Sequence, residues 1–314
     1  MKVSIVVFSP SGNTLRAASM LREKLRERSA EVQLLDLTRR ADLFGVARPQ
    51  ALLEELLDEH KLLCIGGPVY AHHLHYNVLR LIDSLPRPGG KFGRLAVPFV
   101  TYGTISSGVS LREAAAALRR SGRITPFAMK VEAFHCMSRL LSLKVGEGLP
   151  DERSLPIIED LANRIVTFRK ETDLGCSPRS FDYQNRAAKI KARVLFRERL
   201  WQRRIYPALV LDGTKCRRCA TCVGACPVQR LKLSDGTLDI AGEPGCIHCG
   251  QCIAACATGA ISFRADLAKW DELFALAAAG KGLMSSHEAP RSAVYPLRAS
   301  LEQQERGQAR ESLV

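Results

Sequence analysis

Long apolar runs are missing from this chain: no stretch approaches the roughly 18 apolar residues that a membrane span needs. Acidic residues are scarce, 32 Asp and Glu against 46 Lys and Arg, so the formal net charge is +14. Aromatics make up 6% of the chain, and in its most basic stretch only Phe196 and Trp201 interleave the charges, which with no recognition motif argues against nucleic acid. The glycine loop near the start has no lysine after its glycine, which excludes the Walker pattern, and a Gly-x-Gly-x-x-Gly fingerprint is absent as well. No Ser-His-Asp set or carboxylate pair stands out. The apolar start, Met1 to Phe8, is too short for a secretory leader and runs into a glycine loop in place of a cleavage site. Cytoplasm is therefore the expected compartment.

With 314 residues, 46% of them apolar and 25% charged, the chain has room for one large domain or two ordinary ones. Strands and helices alternate through its first half. Strands are expected at Lys2–Phe8, Glu31–Leu37, Lys61–Ile65, Leu95–Tyr102 and Phe127–Phe134. Helices are expected at Leu15–Arg28, Tyr76–Leu85, Val109–Ser121 and Ser154–Lys170. This is the pattern of βαβ units in an open parallel sheet with helices on both faces. The divisions expected are 1–172 for that domain, 173–205 for a linker and basic helix, 206–265 for a small cysteine-rich module, and 266–314 for a short helix and a disordered tail. About half of the net charge falls between Arg186 and Arg204, where eight Lys or Arg face a single Glu. In the helix expected over Asn185–Ile205, residues Ile190, Val194, Trp201 and Ile205 share one face. That helix is read either as a linker packed by its apolar stripe, as a docking face for an acidic redox partner, or as a peripheral membrane contact.

Of the eleven cysteines, Cys64, Cys136 and Cys176 are scattered, and Cys64 reads as a small core residue. The other eight form two blocks, Cys216-x-x-Cys219-x-x-Cys222-x-x-x-Cys226-Pro227 and Cys246-x-x-Cys249-x-x-Cys252-x-x-x-Cys256-Ala257. A short turning loop aims three thiolates at one cubane, and the fourth cysteine of each run reaches the other cluster. The spacing therefore assigns Cys216, Cys219, Cys222 and Cys256 to one [4Fe–4S] cluster, and Cys226, Cys246, Cys249 and Cys252 to a second. Zinc ribbons use two Cys-x-x-Cys knuckles per ion and have no need of four cysteines in each block. The module resembles the bacterial two-cluster ferredoxins over its whole length, with Ala257 standing where that family has proline.

Ser9-Pro10-Ser11-Gly12-Asn13-Thr14 joins the first strand to the first helix, where backbone N–H groups and the helix dipole favour an anion. Ser9, Ser11 and Thr14 add hydroxyls. Two later loops, around Gly66-Gly67-Pro68-Val69-Tyr70 and Thr101-Tyr102-Gly103, lie at the carboxyl ends of the third and fourth strands, where ligands of such sheets bind. On these residues the first 170 or so positions resemble a flavodoxin, a doubly wound parallel five-stranded sheet. The whole chain resembles the flavodoxin–ferredoxin fusion flavoproteins. The resemblance implies FMN, with its phosphate on Ser9, Ser11, Gly12, Asn13 and Thr14. Its ring would lie among Pro68, Val69, Tyr70, Thr101, Tyr102 and Gly103, Tyr70 being the first candidate for stacking and Tyr102 the second. His72, His73 and His75 sit in a loop without a carboxylate and are read as rim residues, and His135 as structural. The expected function is electron transfer between FMN and two [4Fe–4S] clusters, joining two-electron to one-electron redox proteins. The alternatives are an FMN-dependent reductase of a small molecule, or a cluster-bearing scaffold whose flavodoxin-like domain is empty.

Overall fold

The structure is a computed structural model that describes residues 1–40, 42–43, 49–168, 176–197, 200–241, 245–282, 284 and 290–296. Its centre is a sheet whose parallel strands are β1 (Lys2–Val7), β2 (Glu31–Asp36), β3 (His60–Tyr70), β5 (Phe92–Tyr102) and β6 (Ala128–Glu132), in the order β2-β1-β3-β5-β6. Counting parallel strands only, this is the 2-1-3-4-5 order of flavodoxin-like sheets. A two-residue strand, β4 (His73–Leu74), folds back antiparallel on the end of β3.

Side chains on each strand alternate between two helix-covered faces, as a pleated strand requires. Val3, Ile5, Val7, Cys64, Val97, Phe99 and Met129 meet α1 (Asn13–Arg26) and, past the last parallel strand, Leu155–Thr167. Val6, Phe8, Leu63, Ile65, Ala96 and Val100 face the other way, toward α2 (Pro49–Leu56), α3 (Tyr76–Asp83) and α4 (Ser110–Arg120). Leu155–Thr167 is α5. Cys64 is fully buried, in keeping with its reading as a core residue.

Three expectations are corrected. The five expected parallel strands are present, but residues in the expected disordered tail join their sheet: β11 (Ala293–Tyr295) pairs antiparallel with β6, its three residues all buried. The rest of that tail, from 297 on, lies outside the described residues. The third strand also runs farther than expected, so Gly66 to Tyr70 are strand and not loop. Gly66 and Gly67 serve packing: a Cβ on Gly66 would stand 2.1 Å from the Phe99 ring, and one on Gly67 2.3 Å from Val78. They make room for core side chains.

The third correction concerns the basic helix. It is α6 (Arg186–Val194), capped by the Asn185 side chain accepting from the Ala188 N–H, and it ends well before the expected Ile205. A single wide turn, Trp201–Ile205, follows. Its inward residues are Ala188 and Ala192, while Ile190, Val194 and Ile205 are exposed, so the expected apolar stripe does not pack on the body. No helix among the described residues is long and apolar enough to cross a membrane.

The cysteine-rich module is held by two short antiparallel ladders. In one, β7 (Ala208–Leu211) pairs with β10 (Ile261–Arg264); in the other, β8 (Lys232–Ser234) pairs with β9 (Thr237–Asp239). Helices α7 (Thr221–Ala225) and α8 (Gln251–Ala254) each start on a cysteine loop, and α9 (Leu267–Ala278) follows β10. Cys222, Cys226, Ile247, Cys249 and Cys252 belong to the same contiguous apolar cluster as the α2–α4 face of the sheet.

Candidate functional site

The two cysteine blocks fold alike. Arg218 and His248 adopt positive φ at equivalent places, 57° and 55°, and so do Ala220 and Gly250, at 57° and 71°. These left-handed residues curl each loop so that its cysteines turn to one side. One void is ringed by Cys216, Cys219, Cys222 and Cys256. A second is ringed by Cys226, Cys246, Cys249 and Cys252. The fourth cysteine of each run thus stands with the first three of the other. Four thiols around one void are the donor set that a [4Fe–4S] cubane takes.

The sets differ in setting. Cys219 is exposed, and the Thr221 hydroxyl lies 3.3 Å from its sulfur; the Thr258 hydroxyl lies 3.6 Å from that of Cys256. Those hydroxyls lower both thiols, that of Cys256 to about 7. In the second set burial acts the other way, raising Cys246 and Cys249 and pushing Cys252 up to about 12.

A cleft opens at the carboxyl ends of β3 and β5, where sheets of this kind bind their ligands. Of the residues expected to hold a cofactor, Ser11, Asn13, Pro68, Val69, Tyr70, Thr101, Tyr102 and Gly103 line it. Asn13 is fixed there by donating from Nδ2 to the Phe134 carbonyl at 2.8 Å. Tyr70 turns its hydroxyl to Cys136 Sγ at 3.7 Å, and burial holds the phenol un-ionised by raising its pKa well above the usual range. Tyr102 also lines the cleft, and its position is fixed by further contacts. Its hydroxyl donates to the Arg291 carbonyl at 2.7 Å, and Lys130 Nζ stands 5.7 Å from its ring centre.

Ser9, Ser11 and Gly12 line an adjoining cavity at the N-terminus of α1, together with Thr38 and Arg39. Gly12 takes φ 86° as the residue before the helix. Part of the expected hydroxyl set is used within the chain. Ser9 Oγ accepts from the Leu15 N–H at 2.8 Å, leaving its own hydrogen to donate, and Thr14 Oγ1 bonds Thr101 Oγ1 at 2.7 Å. Thr14 lines neither cavity. Arg39, a cation suited to an anion at this helix end, was not foreseen; it reaches the loop only through the turn after β2.

The outer wall of the cleft comes from the rest of the chain. Phe196, Trp201 and Tyr206 enter from the segment after α6, Trp270 and Phe274 from α9, and His248 from the second cysteine loop. The neighbours of His248 carry the module onto the cleft. Gly250 lies against the Cys136 backbone, and Gln251 donates to the Pro10 carbonyl at 3.2 Å while accepting from Arg139 at 2.9 Å. Cys249 is thereby brought into electrostatic range of Cys136 and Tyr70.

The expected rim histidines part ways. His72 Nδ1 meets Ser106 Oγ at 2.9 Å, while His73 bridges Glu113 at 2.7 Å and the Ala192 carbonyl at 3.0 Å. His75 is fully buried and caps α3. His135, expected to be structural only, lines the cleft. Its Nδ1 and that of His248 are buried without a hydrogen-bond partner, and burial lowers both imidazoles to about 4, so both are neutral at pH 7. An isolated buried imidazole nitrogen is costly. Two of them in one cleft fit a flat cofactor with polar edges.

Residues 208–260 match the family described as 4Fe-4S dicluster domain. A ferredoxin of Methanothermococcus thermolithotrophicus is 32% identical over 59 residues, which is 18% of this chain and 98% of that one. The chain belongs to the two-cluster ferredoxins. Ahead of its ferredoxin module stands a sheet of flavodoxin-like strand order, so the molecule joins a flavodoxin-like fold to a two-cluster ferredoxin module. Among solved structures, a flavodoxin from the domain Archaea is 20% identical, covering 52% of this chain and 96% of its own, with a TM-score of 0.35. Flavodoxin 2 from Bacillus cereus is 19% identical, covering 53% and 98%, with a TM-score of 0.36. At such scores the likeness adds nothing to the strand order. The two modules place this ferredoxin fusion among electron-transfer proteins.

Proposed function

We propose that the chain transfers electrons between an FMN held in the cleft and two [4Fe–4S] clusters held by its eight clustered cysteines, coupling a two-electron partner to one-electron partners. When bound, FMN supplies a centre that accepts two electrons and releases them singly, and each cluster supplies a one-electron centre. Ser9, Ser11, Gly12 and Arg39, with the N-terminus of α1, are the residues suited to the phosphate. Asn13, Pro68, Val69, Tyr70, Thr101, Tyr102 and Gly103 are suited to the ring. His135 Nδ1 is able to donate to or accept from its polar edge, and His248 Nδ1, whose ring N–H bonds the Pro207 backbone, to accept.

The observation that carries the reading is the placement of the second cysteine loop on the wall of the cleft, with His248 in the lining and Cys249 within electrostatic range of Tyr70 and Cys136. This makes the set Cys226, Cys246, Cys249 and Cys252 the one nearer the cleft. The set containing exposed Cys219 is then the one nearer solvent. Phe196, Trp201 and Phe274 line the outer side of the cleft. An empty scaffold domain would leave two imidazole nitrogens buried for nothing.

The test is an anaerobic reductive titration of the purified chain followed by visible absorption. Structured flavin bands and a broad iron–sulfur shoulder are expected, and both should bleach. A shoulder alone, persisting after incubation with FMN, would remove the flavin half of the reading.

A further inference from the structure

The segment joining the two modules turns its apolar side chains outward. On α6 the small residues Ala188 and Ala192 are buried, whereas Ile190 is 63% and Val194 54% exposed. Leu195, Leu200 and Ile205 continue the exposed series. Arg186, Arg193, Arg197 and Arg204 are exposed among them. Residues 186, 190, 193 and 194 follow helical spacing within α6, and Arg197 lies just beyond its end, so isoleucine and valine are flanked by guanidinium-bearing residues.

This orientation is fixed from within. His73 Nε2 bonds the Ala192 carbonyl at 3.0 Å, and Lys189 pairs with Asp182 at 3.0 Å. Phe196 is buried with its ring 3.9 Å from His72 and 4.9 Å from Trp201. The helix is therefore not free to roll its apolar row inward. Exposed apolar groups gathered in one place mark an interaction surface.

We propose that this face rests on an anionic lipid bilayer, its aliphatic side chains entering the headgroup–acyl boundary and its arginines meeting lipid phosphates. Apolar residues interleaved with Arg on the outer side of a short helix are the mark of an interfacial segment. Protein interfaces are anchored by aromatic residues in pockets. Here the aromatics Phe196 and Trp201 are turned inward, and aliphatic chains face out. A single segment of this length gives weak, reversible attachment, dependent on anionic lipid and on salt.

Flotation of the purified chain with vesicles tests this whether or not FMN is bound. Co-flotation is expected with vesicles containing phosphatidylglycerol, not with phosphatidylcholine alone, and it should weaken as salt is raised. The Ile190→Asp/Val194→Asp double variant should stay behind. Arg193→Gln/Arg197→Gln should lower binding by about tenfold or more, each variant keeping the circular dichroism of the parent chain. Absence of the parent chain from phosphatidylglycerol vesicles, or unchanged flotation of both variants, would overturn the proposal. So would a concentration-dependent dimer dispersed by Ile190→Asp/Val194→Asp, which would assign the face to a second copy. Capture by an acidic protein without vesicle binding would assign it to a protein partner.

Discussion

At Cys219 and Cys256 a threonine two residues further on brings its hydroxyl to the sulfur. On iron a cysteine sulfur carries no proton, so the hydroxyl must be the donor, and donors to sulfur raise a cluster's potential. In the other set the Cys246 sulfur accepts from the His248 N–H at 3.4 Å, and Cys249 and Cys252 are buried. A Thr221→Val/Thr258→Val double variant should lower the potential of one cluster by some tens of millivolts, on the scale of a fraction of a charge-assisted hydrogen bond, and leave the other in place. An EPR-monitored redox titration reads both; equal shifts of the two clusters, or none, would refute the assignment. The eight cysteines were legible in the sequence because a cubane demands a fixed local spacing. Arg39, Cys136 and His248 were not legible as site residues. Arg39 reaches the site through the turn after β2 and Cys136 through the segment after β6, while His248 arrives with the docked ferredoxin module, and no local pattern encodes such contacts between distant segments.

Elements were legible in kind, and their ends were not. The parallel strands announced themselves as apolar runs between helical periods, and the crossover rule then left little choice of topology. The Gly66-Gly67-Pro68 stretch reads locally as a turn. Pairing with β5 as far as Pro68↔Thr101 overrides that and holds it extended, with the glycines making room for Phe99 and Val78. Strand β11 was missed because three residues in a polar tail carry no periodicity; only the open edge of β6 makes them a strand. The packing role of Gly67 is testable. In Gly67→Ala the new methyl meets Val78 at 2.3 Å, inside contact distance, and such overpacking costs about 1–3 kcal/mol. Thermal unfolding should show the loss, and Gly67→Ala/Val78→Ala should recover part of it. If the single substitution were neutral, the glycine would have some role other than close packing.

Across the whole molecule, burial of histidine in a basic protein ties stability to pH. His75 is fully buried, its Nε2 has no hydrogen-bond partner, and burial lowers it to about 3; His135 is lowered to about 4 by the same cause. In the unfolded chain both return to about 6.5. Between those values the unfolded state binds protons that the folded state refuses, so stability is full above about pH 6.5 and declines as pH falls. By pH 4 the contribution of His75 alone amounts to roughly 3 kcal/mol, a large share of the 5–15 kcal/mol of an ordinary domain. The Coulomb effect of Arg80 adds to the same direction at His75. His75→Asn keeps an acceptor at the cap of α3 while removing the titrating ring. Urea midpoints compared at pH 6.5 and pH 4.5 should fall less in this variant than in the parent chain, even though the variant starts lower for having lost the ring's contacts with Phe8 and Tyr76. Acid lability of the clusters is common to both proteins and cancels in the difference. Parallel declines in the two proteins would mean that the buried ring is not what acid attacks.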